Sequence, residues 1–450
     1  MAVPPDKVRE LPWPAKLLYA SGSLGGNVIS RSKDLWLIYF FAPPADADIP
    51  TLVPRLTIGI LMFVTRMIDA LDDPLIGFWS DRTSSRWGRR IPFVVGATPF
   101  YAFFFFLLWT PPDNHETIRN AAYFFVILET FHLFSTLSGG PFESLLPEIA
   151  VTSRDRVGIV VWQVAFGAVG AGIGLVASGL IIDSLGYWQM GLIMGATALL
   201  SRYVALAGAW RHVRVEQPPV KIGLLQAFRT TFTNDQFLFF LPTFVLFNAG
   251  ISMMTGMLPF FAKAVLQVEQ EGRIVSALTA TAIGFLMIGL VPMYRLAVRR
   301  GKAWAYSRAM LIAALYLPWL FFMGFVPGIG RVLQAFFFVA FIGVPMTAMN
   351  AFPNAIMADI IDYDELETGE RREAMYYGAQ ATLEKMASAL YPLILALLLV
   401  VGSTADNPLG IRLVGPMAGL LCLAAYLCFR GYRLPDQVTA DTVTRRGHRQ

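Results

Sequence analysis

The chain has 450 residues, 56% of them hydrophobic and 15% charged, and a mean hydropathy of +0.55. Soluble domains carry about a quarter charged residues, and a soluble chain this apolar would expose aggregating patches, so the composition excludes a water-soluble globular protein. The net charge of +5 does not point to nucleic acid, because the basic residues sit in short segments between apolar stretches.

A helix rises about 1.5 Å per residue, so crossing about 30 Å of hydrocarbon takes about 20 apolar residues. On that ruler the sequence predicts twelve helical spans, at roughly 17–42, 55–80, 92–110, 119–147, 157–183, 188–209, 236–262, 274–296, 305–325, 331–357, 375–402 and 412–430. The segment Met1 to Lys16 is charged and leads into an apolar stretch too long for a signal peptide, with no small-residue cleavage site after it. The first span is therefore expected to stay in the mature protein. The longest basic connection, at 210–235 with Pro218 and Pro219, divides the spans six and six. The expected organisation is an N-terminal half at 1–209, a linker at 210–235, a C-terminal half at 236–430 and a tail at 431–450. Basic turns recur after the second span of each half, Gly77 to Arg90 and Arg295 to Lys302, as two parallel repeats would place them. The two cysteines, Cys422 and Cys428, lie together in the last span with no CxxC spacing and read as packing residues.

With the N-terminus inside, 24 of the 36 lysines and arginines fall in inside segments, 6 in outside loops and 6 within spans. That asymmetry predicts both termini on the cytoplasmic side. A multi-pass protein of the bacterial inner membrane is the expectation, as a monomer.

Ionisable groups within spans cost about 2.5–3.5 kcal/mol each at the bilayer centre, so each needs a reason. The second span holds Arg66, Asp69, Asp72 and Asp73 in RMIDALDDPLIG. Positions 66, 69 and 73 share one helical face. Carboxylates crowded there repel unless a cation sits between them or a proton neutralises one, and hard oxygen ligands suit Na⁺. The competing reading is a structural salt-bridge cluster of Arg66 and Lys385 with these acids. The eleventh span carries Gln380, Glu384 and Lys385, and a lysine at that depth needs an anionic partner. In the first span Asn27, Arg31 and Asp34 share a face and can line a cavity, or Arg31 and Asp34 can pair with each other. The fourth span offers Glu129, His132 and Glu143, too few ligands for a metal but a possible polar lining. Asp81, Arg89 and Arg90, in the turn after the second span, are candidates for a charged inner gate. No GxxxxGK[ST], GxSxG or HExxH string occurs, so the residues support neither a P-loop nor a hydrolase.

Three strings resemble one family. They are Arg66-x-x-Asp69-x-x-x-Asp73-Pro74 with Gly77 and Trp87-Gly88-Arg89, then Pro141-Phe142-x-Ser144-Leu145-x-Pro147, and Asp359-x-x-Asp362-Tyr363-Asp364-Glu365 followed by Thr368-Gly369, Tyr377-Gly378 and Lys385. They look like the glycoside-pentoside-hexuronide:cation symporters of the major facilitator superfamily, whose best-studied member is the melibiose carrier. The resemblance implies an all-α membrane protein, a twelve-helix fold of two six-helix halves. By it, Asp69 and Asp73 match cation-site carboxylates and Lys385 the lysine of the same site, while Asp72 replaces an asparagine. The sugar pocket departs: Asn27 and Gly139 stand where sugar-binding aspartates do, Glu143 where a stacking tryptophan does, and no arginine stands near Gln163 and Val164.

The function expected is secondary active transport, not catalysis: Na⁺ or H⁺ driving symport of a sugar, glycoside or sugar acid, with no cofactor beyond the coupling ion. The partners expected are the small solute, the cation and the lipid bilayer, and no nucleic acid. The lost sugar aspartates leave room for a lysolipid or another amphipathic solute. A non-transporting sensor is a third reading, opposed by the dense charge in spans one, two and eleven.

Overall fold

The computed structural model describes residues 11–83, 85–150, 152–213, 234–369 and 373–435, and among these residues the chain is helical with no strand. Cα proximity divides the chain into two units, Met1–Val220 with Gln270–Ser276, and Lys221–Glu269 with Ala277–Gln450.

In the first unit the helices are α1 Trp13–Ala20, α2 Gly22–Phe41, α3 Arg55–Arg82, α4 Ile91–Leu107, α5 Ile118–Glu143 and the short α6 Leu146–Ile149. They are followed by α7 Ser153–Gly172, α8 Ser178–Leu185 and α9 Tyr187–Ala209, with a π-turn at Ile173–Ala177 joining α7 to α8. The side-chain oxygens of Thr117 and Thr152 accept the Asn120 and Asp155 backbone N–H groups, capping α5 and α7. The first span packs against the fifth and sixth (α2 on α7 and α9), α4 lies on α5 and α9, and α3 on α5. Small residues allow the approach: a Cβ at Gly174 would come to 2.6 Å of the Val28 carbonyl, and one at Gly25 to 2.5 Å of the Ala198 Cα. Buried aromatic polar groups are satisfied inside, Trp36 Nε1 donating to Ser178 Oγ at 3.0 Å and Tyr19 Oη to the Phe142 carbonyl at 2.7 Å.

In the second unit the helices are α10 Asp235–Phe261, α11 Glu271–Arg300, α12 Lys302–Tyr316, α13 Arg331–Ala351, α14 Pro353–Thr368, α15 Glu373–Ser388, α16 Leu390–Val401 and α17 Leu409–Phe429. The first turn of α11 groups with the first unit. Asn234 caps α10 by accepting the Gln236 and Phe237 N–H groups. The seventh span packs on the last (α10 on α17) and on α15 and α16, while α12 lies on α13 and α17.

Nine helical segments among the described residues are long and apolar enough to cross a membrane, and Ile91–Leu107 is a shorter apolar helix. Large apolar side chains such as Phe103, Val164, Leu200, Leu315 and Phe337 are more than half exposed, which suits lipid and not water. The first two spans are not among the nine. Their helices have the length, but α2 carries Arg31, Lys33 and Asp34, and α3 carries Arg66, Asp69, Asp72 and Asp73.

Two spans differ in detail from the sequence reading. The tenth breaks at Phe352 and resumes as α14, because Pro353 opens a new helix at its first position and Gly369, at φ 76°, closes it. The eleventh, expected as one helix, is α15 and α16 with a turn at Ala389.

Candidate functional site

Helical spacing puts Arg66 and Asp69 one turn apart on α3, and their side chains meet with Arg66 Nη1 3.3 Å from Asp69 Oδ2. Arg66 Nη2 also stands 4.0 Å from Asp34 Oδ1 on α2, and Lys33 Nζ lies 2.7 Å from the same oxygen. From α5, the Thr136 hydroxyl donates to Asp69 Oδ1 at 3.4 Å. The result is a row of alternating charge, Lys33, Asp34, Arg66, Asp69, that joins the first, second and fourth spans. Lys33 and Asp69 are each only 3% exposed. Charges this deep persist only when paired and hydrogen-bonded, and each member of the row has an opposite neighbour.

Asp72 lies half-buried one turn beyond Asp69 on α3. The side chains of Asp73 and Asp81 lie outside the described residues. Asp72 and Asp73 add two further carboxylates to α3. Their oxygens, with those of Asp69 and Thr136, are hard ligands of the type a small cation takes.

The sequence left open whether Asp34 pairs with Arg31. The structure pairs Asp34 with Lys33, whose flexible stem brings its ammonium back to the neighbouring carboxylate, and leaves Arg31 exposed. Asn27 is half-buried and its Nδ2 donates to the Ser23 carbonyl at 2.9 Å. His132 is buried on α5 one turn before Thr136, and no group of three His, Cys, Asp or Glu residues suited to a metal occurs among the described residues. Glu143 ends α5 with its side chain exposed.

The arginines read as gate residues have a partner inside their own unit. Arg89 Nε and Arg90 Nη1 lie 2.9 and 3.0 Å from Glu148 Oε1, and Arg90 Nη1 also donates to the Ser144 carbonyl. A second ion pair ties the start of α1 to α7, Lys16 Nζ to Asp155 Oδ1 at 2.5 Å. Asp155 outlies the spans. Burial pushes its carboxyl up, but hydrogen bonds from Lys16, Thr152 and the Leu11 N–H outweigh this and hold it below the usual carboxylate range. Gln380, Glu384 and Lys385 lie on α15 in the second unit, Gln380 buried, Lys385 half-buried and Glu384 exposed. There, too, an ion pair reaches a helix extension, Lys302 Nζ to Asp359 Oδ1 at 2.6 Å.

Residues 18–408 match the family model described as MFS/sugar transport protein. The chain belongs to that family. A symporter of Synechocystis sp. described as uncharacterized is 23% identical over 85% of this chain and 84% of its own length. The lactose permease of Lactobacillus delbrueckii subsp. bulgaricus is 21% identical over 84% of this chain, which covers 61% of that longer permease. Among solved structures, the nucleoside transporter NupG superposes with a TM-score of 0.65 at 12% identity, over 94% of this chain and all of NupG. That likeness establishes the fold, and the expectation of a twelve-helix major facilitator fold is borne out. This member of the MFS/sugar transport family is a multi-pass membrane protein and a secondary transporter, not an enzyme.

Sequence reasoning overlooked three residues of the family member's charged network. Lys33 was visible only as a charge within a span. Thr136 follows Glu129 and His132 at spacings of 7 and 4 on α5, so the polar stripe was there to read. Glu148 directly follows the string Pro141 to Pro147 that carried the resemblance, but nothing local marked it as the acceptor for two arginines.

Proposed function

We propose that the chain couples uptake of a sugar or glycoside to the inward movement of Na⁺ or H⁺, the cation being held by Asp69 with Asp72 and Asp73. The observation that carries the reading is the concentration of carboxylates on α3. Asp69, Asp72 and Asp73 lie within one stretch of that helix, with the Thr136 hydroxyl on Asp69, and supply hard oxygen ligands of the kind a small cation takes. Arg66 supports a release step, because it already lies 3.3 Å from Asp69 and 4.0 Å from Asp34. A cation arriving at Asp69 displaces Arg66 toward Asp34, and its departure lets the guanidinium return. The names of the relatives, a symporter and a lactose permease, favour a sugar-type solute moved with an ion. Both termini lie inside, as the placement of lysine and arginine favours, and the protein works as a monomer in a bacterial plasma membrane.

The test is uptake by purified protein in liposomes under an imposed Na⁺ or H⁺ gradient, with lactose among a panel of glycosides. One gradient is expected to drive accumulation of at least one solute, and Asp69→Asn is expected to end accumulation while the protein still inserts. Accumulation by Asp69→Asn equal to wild type would falsify the assignment.

A further inference from the structure

A deeply buried cation of the first unit belongs to none of the pairs above. Arg202, on α9, is 9% exposed and lies with its guanidinium carbon 4.2 Å from the Phe142 ring centroid. No described carboxylate comes within 4.0 Å of it, and it makes no hydrogen bond among the described residues. Within Coulombic range are Tyr101 on α4, Glu143 on α5 and Tyr19 on α1. A buried guanidinium offers five N–H donors in a rigid fork, and leaving them unused is costly. Lys33, the other cation of the unit this deeply buried, has a carboxylate at 2.7 Å. The half-buried Lys16, Arg66, Arg89 and Arg90 each have one at 4.0 Å or less, and the half-buried Arg55 donates to the Pro43 carbonyl. Arg202 has an aromatic face beneath it and, among the described residues, no hydrogen-bond partner on its donor edge.

That edge is open. A Cβ built at Gly26 on α2 would meet only Arg202 Nη2, at 3.9 Å, with no other atom within 4 Å. Gly139, one turn before Glu143 on α5, likewise borders open space. Glu143, exposed and beyond ion-pair distance, eases the field at Arg202 without occupying its donors. An arginine stacked on a ring, with its fork facing an opening floored by glycine, fits a planar or trigonal anion taken bidentately.

We propose that Arg202 binds the acidic group of the transported solute, so that the substrate is an acidic sugar or glycoside, bearing a carboxylate or sulfonate, and not its neutral counterpart. The proposal rests on the sugar-transport reading above and adds the substrate's charge and the residue that selects it. Gly26 keeps the approach to the guanidinium clear, and Phe142 holds its plane.

The experiment compares two probes that differ only at C6, methyl β-D-glucuronide and methyl β-D-glucoside. Both are offered to the full chain in phosphatidylcholine liposomes, which present no net-anionic headgroup. Wild type is expected to prefer the glucuronide by about tenfold or more, as a charged hydrogen-bond pair supplies. Arg202→Gln should lose most of that ratio, Arg202→Lys should keep part of it, and Gly26→Ile, which covers the donor edge, should lower it. Thermal midpoints in detergent certify folding. Because it removes a charge without an ionic partner, Arg202→Gln should melt no lower than wild type, whereas a purely structural arginine would lower the midpoint. If the glucoside enters as well as the glucuronide, or the ratio survives Arg202→Gln in folded protein, the proposal is overturned and sugar transport stands. If neither probe enters and no other glycoside does, the sugar-transport reading fails first and takes this proposal with it.

Discussion

The second span of the first half and the second span of the other half, α3 and α11, hold the same place in chain order, but they are chemically opposite. In its central stretch α3 carries Arg66, Asp69, Asp72 and Asp73, while α11 between Ile274 and Tyr294 has no Asp, Glu, Lys or Arg. The α11 segment has a mean hydropathy of 2.2, the highest among the membrane-crossing segments. A helix in this position can therefore be built and inserted without charge. The acids of α3 are not a requirement of the architecture, and about 2.5–3.5 kcal/mol each at the bilayer centre is a cost that only function sustains.

The sharpest way to break this contrast is to make α3 resemble α11. Arg66→Leu alone leaves the buried Asp69 without its guanidinium and is expected to cost about 3 kcal/mol or more. The pair Arg66→Leu with Asp69→Leu removes both charges. It should recover most of that loss in thermal midpoint, while gradient-driven uptake stays at background. If the double variant is as unstable as the single one, the charges are structural and the comparison with α11 misleads.

A second contrast concerns the ion pairs near the ends of the fourth and tenth spans. Glu148 on α6 has a side chain 2% exposed and two arginines. Asp359 on α14 is more exposed, at 10%, and has one lysine at 2.6 Å. Glu148→Gln should leave two half-buried guanidinium groups facing a neutral amide and cost about 3 kcal/mol. Asp359→Asn should cost about 1 kcal/mol, because Lys302 can turn to water. Limited proteolysis of the two variants against wild type reads the difference, and equal susceptibility would remove it.

The architecture was legible in the sequence because apolar length and the placement of lysine and arginine are one-dimensional signals. Twelve stretches could be measured against the bilayer with no knowledge of packing. Within the site, Arg66 and Asp69 were legible for the same reason, since helical period alone sets them on one face. Lys33, Thr136 and Glu148 were not, because their roles depend on which helix lies next to which. Nothing in the string SRSKDLW says that Asp34 will take Lys33 in preference to Arg31. Neither does period announce that α5 will turn Thr136 toward α3, or that α6 will bring Glu148 back to the turn holding Arg89 and Arg90. Pairing across helices is decided by packing, and packing by close approaches such as Gly25 to Ala198 and Gly174 to Val28, which only coordinates reveal.

The smallest expected effect comes from a third pair of equivalent places, where the start of the first span of each unit meets the start of the fifth span. In the first unit the contact is ionic, Lys16 with Asp155, whereas in the second it is neutral, Asn234 Nδ2 donating to Tyr376 Oη at 3.0 Å. Because the folded carboxyl of Asp155 lies below its ordinary value, it binds its proton less readily than in the unfolded chain. Its contribution is therefore present in full above the ordinary carboxylate value near about 4 and fades as pH falls through the depressed folded value. The amide–phenol contact carries no group that changes charge in that window. Hydrogen exchange followed from pH 7 downward in detergent should show the α1–α7 junction opening on the order of a few-fold more than the α10–α15 junction. Asp155→Asn should open the first junction already at neutral pH and flatten its acid response. A junction that loosens with acid just as steeply in Asp155→Asn would place the titrating group elsewhere, and would make the two junctions alike in all but their residue names.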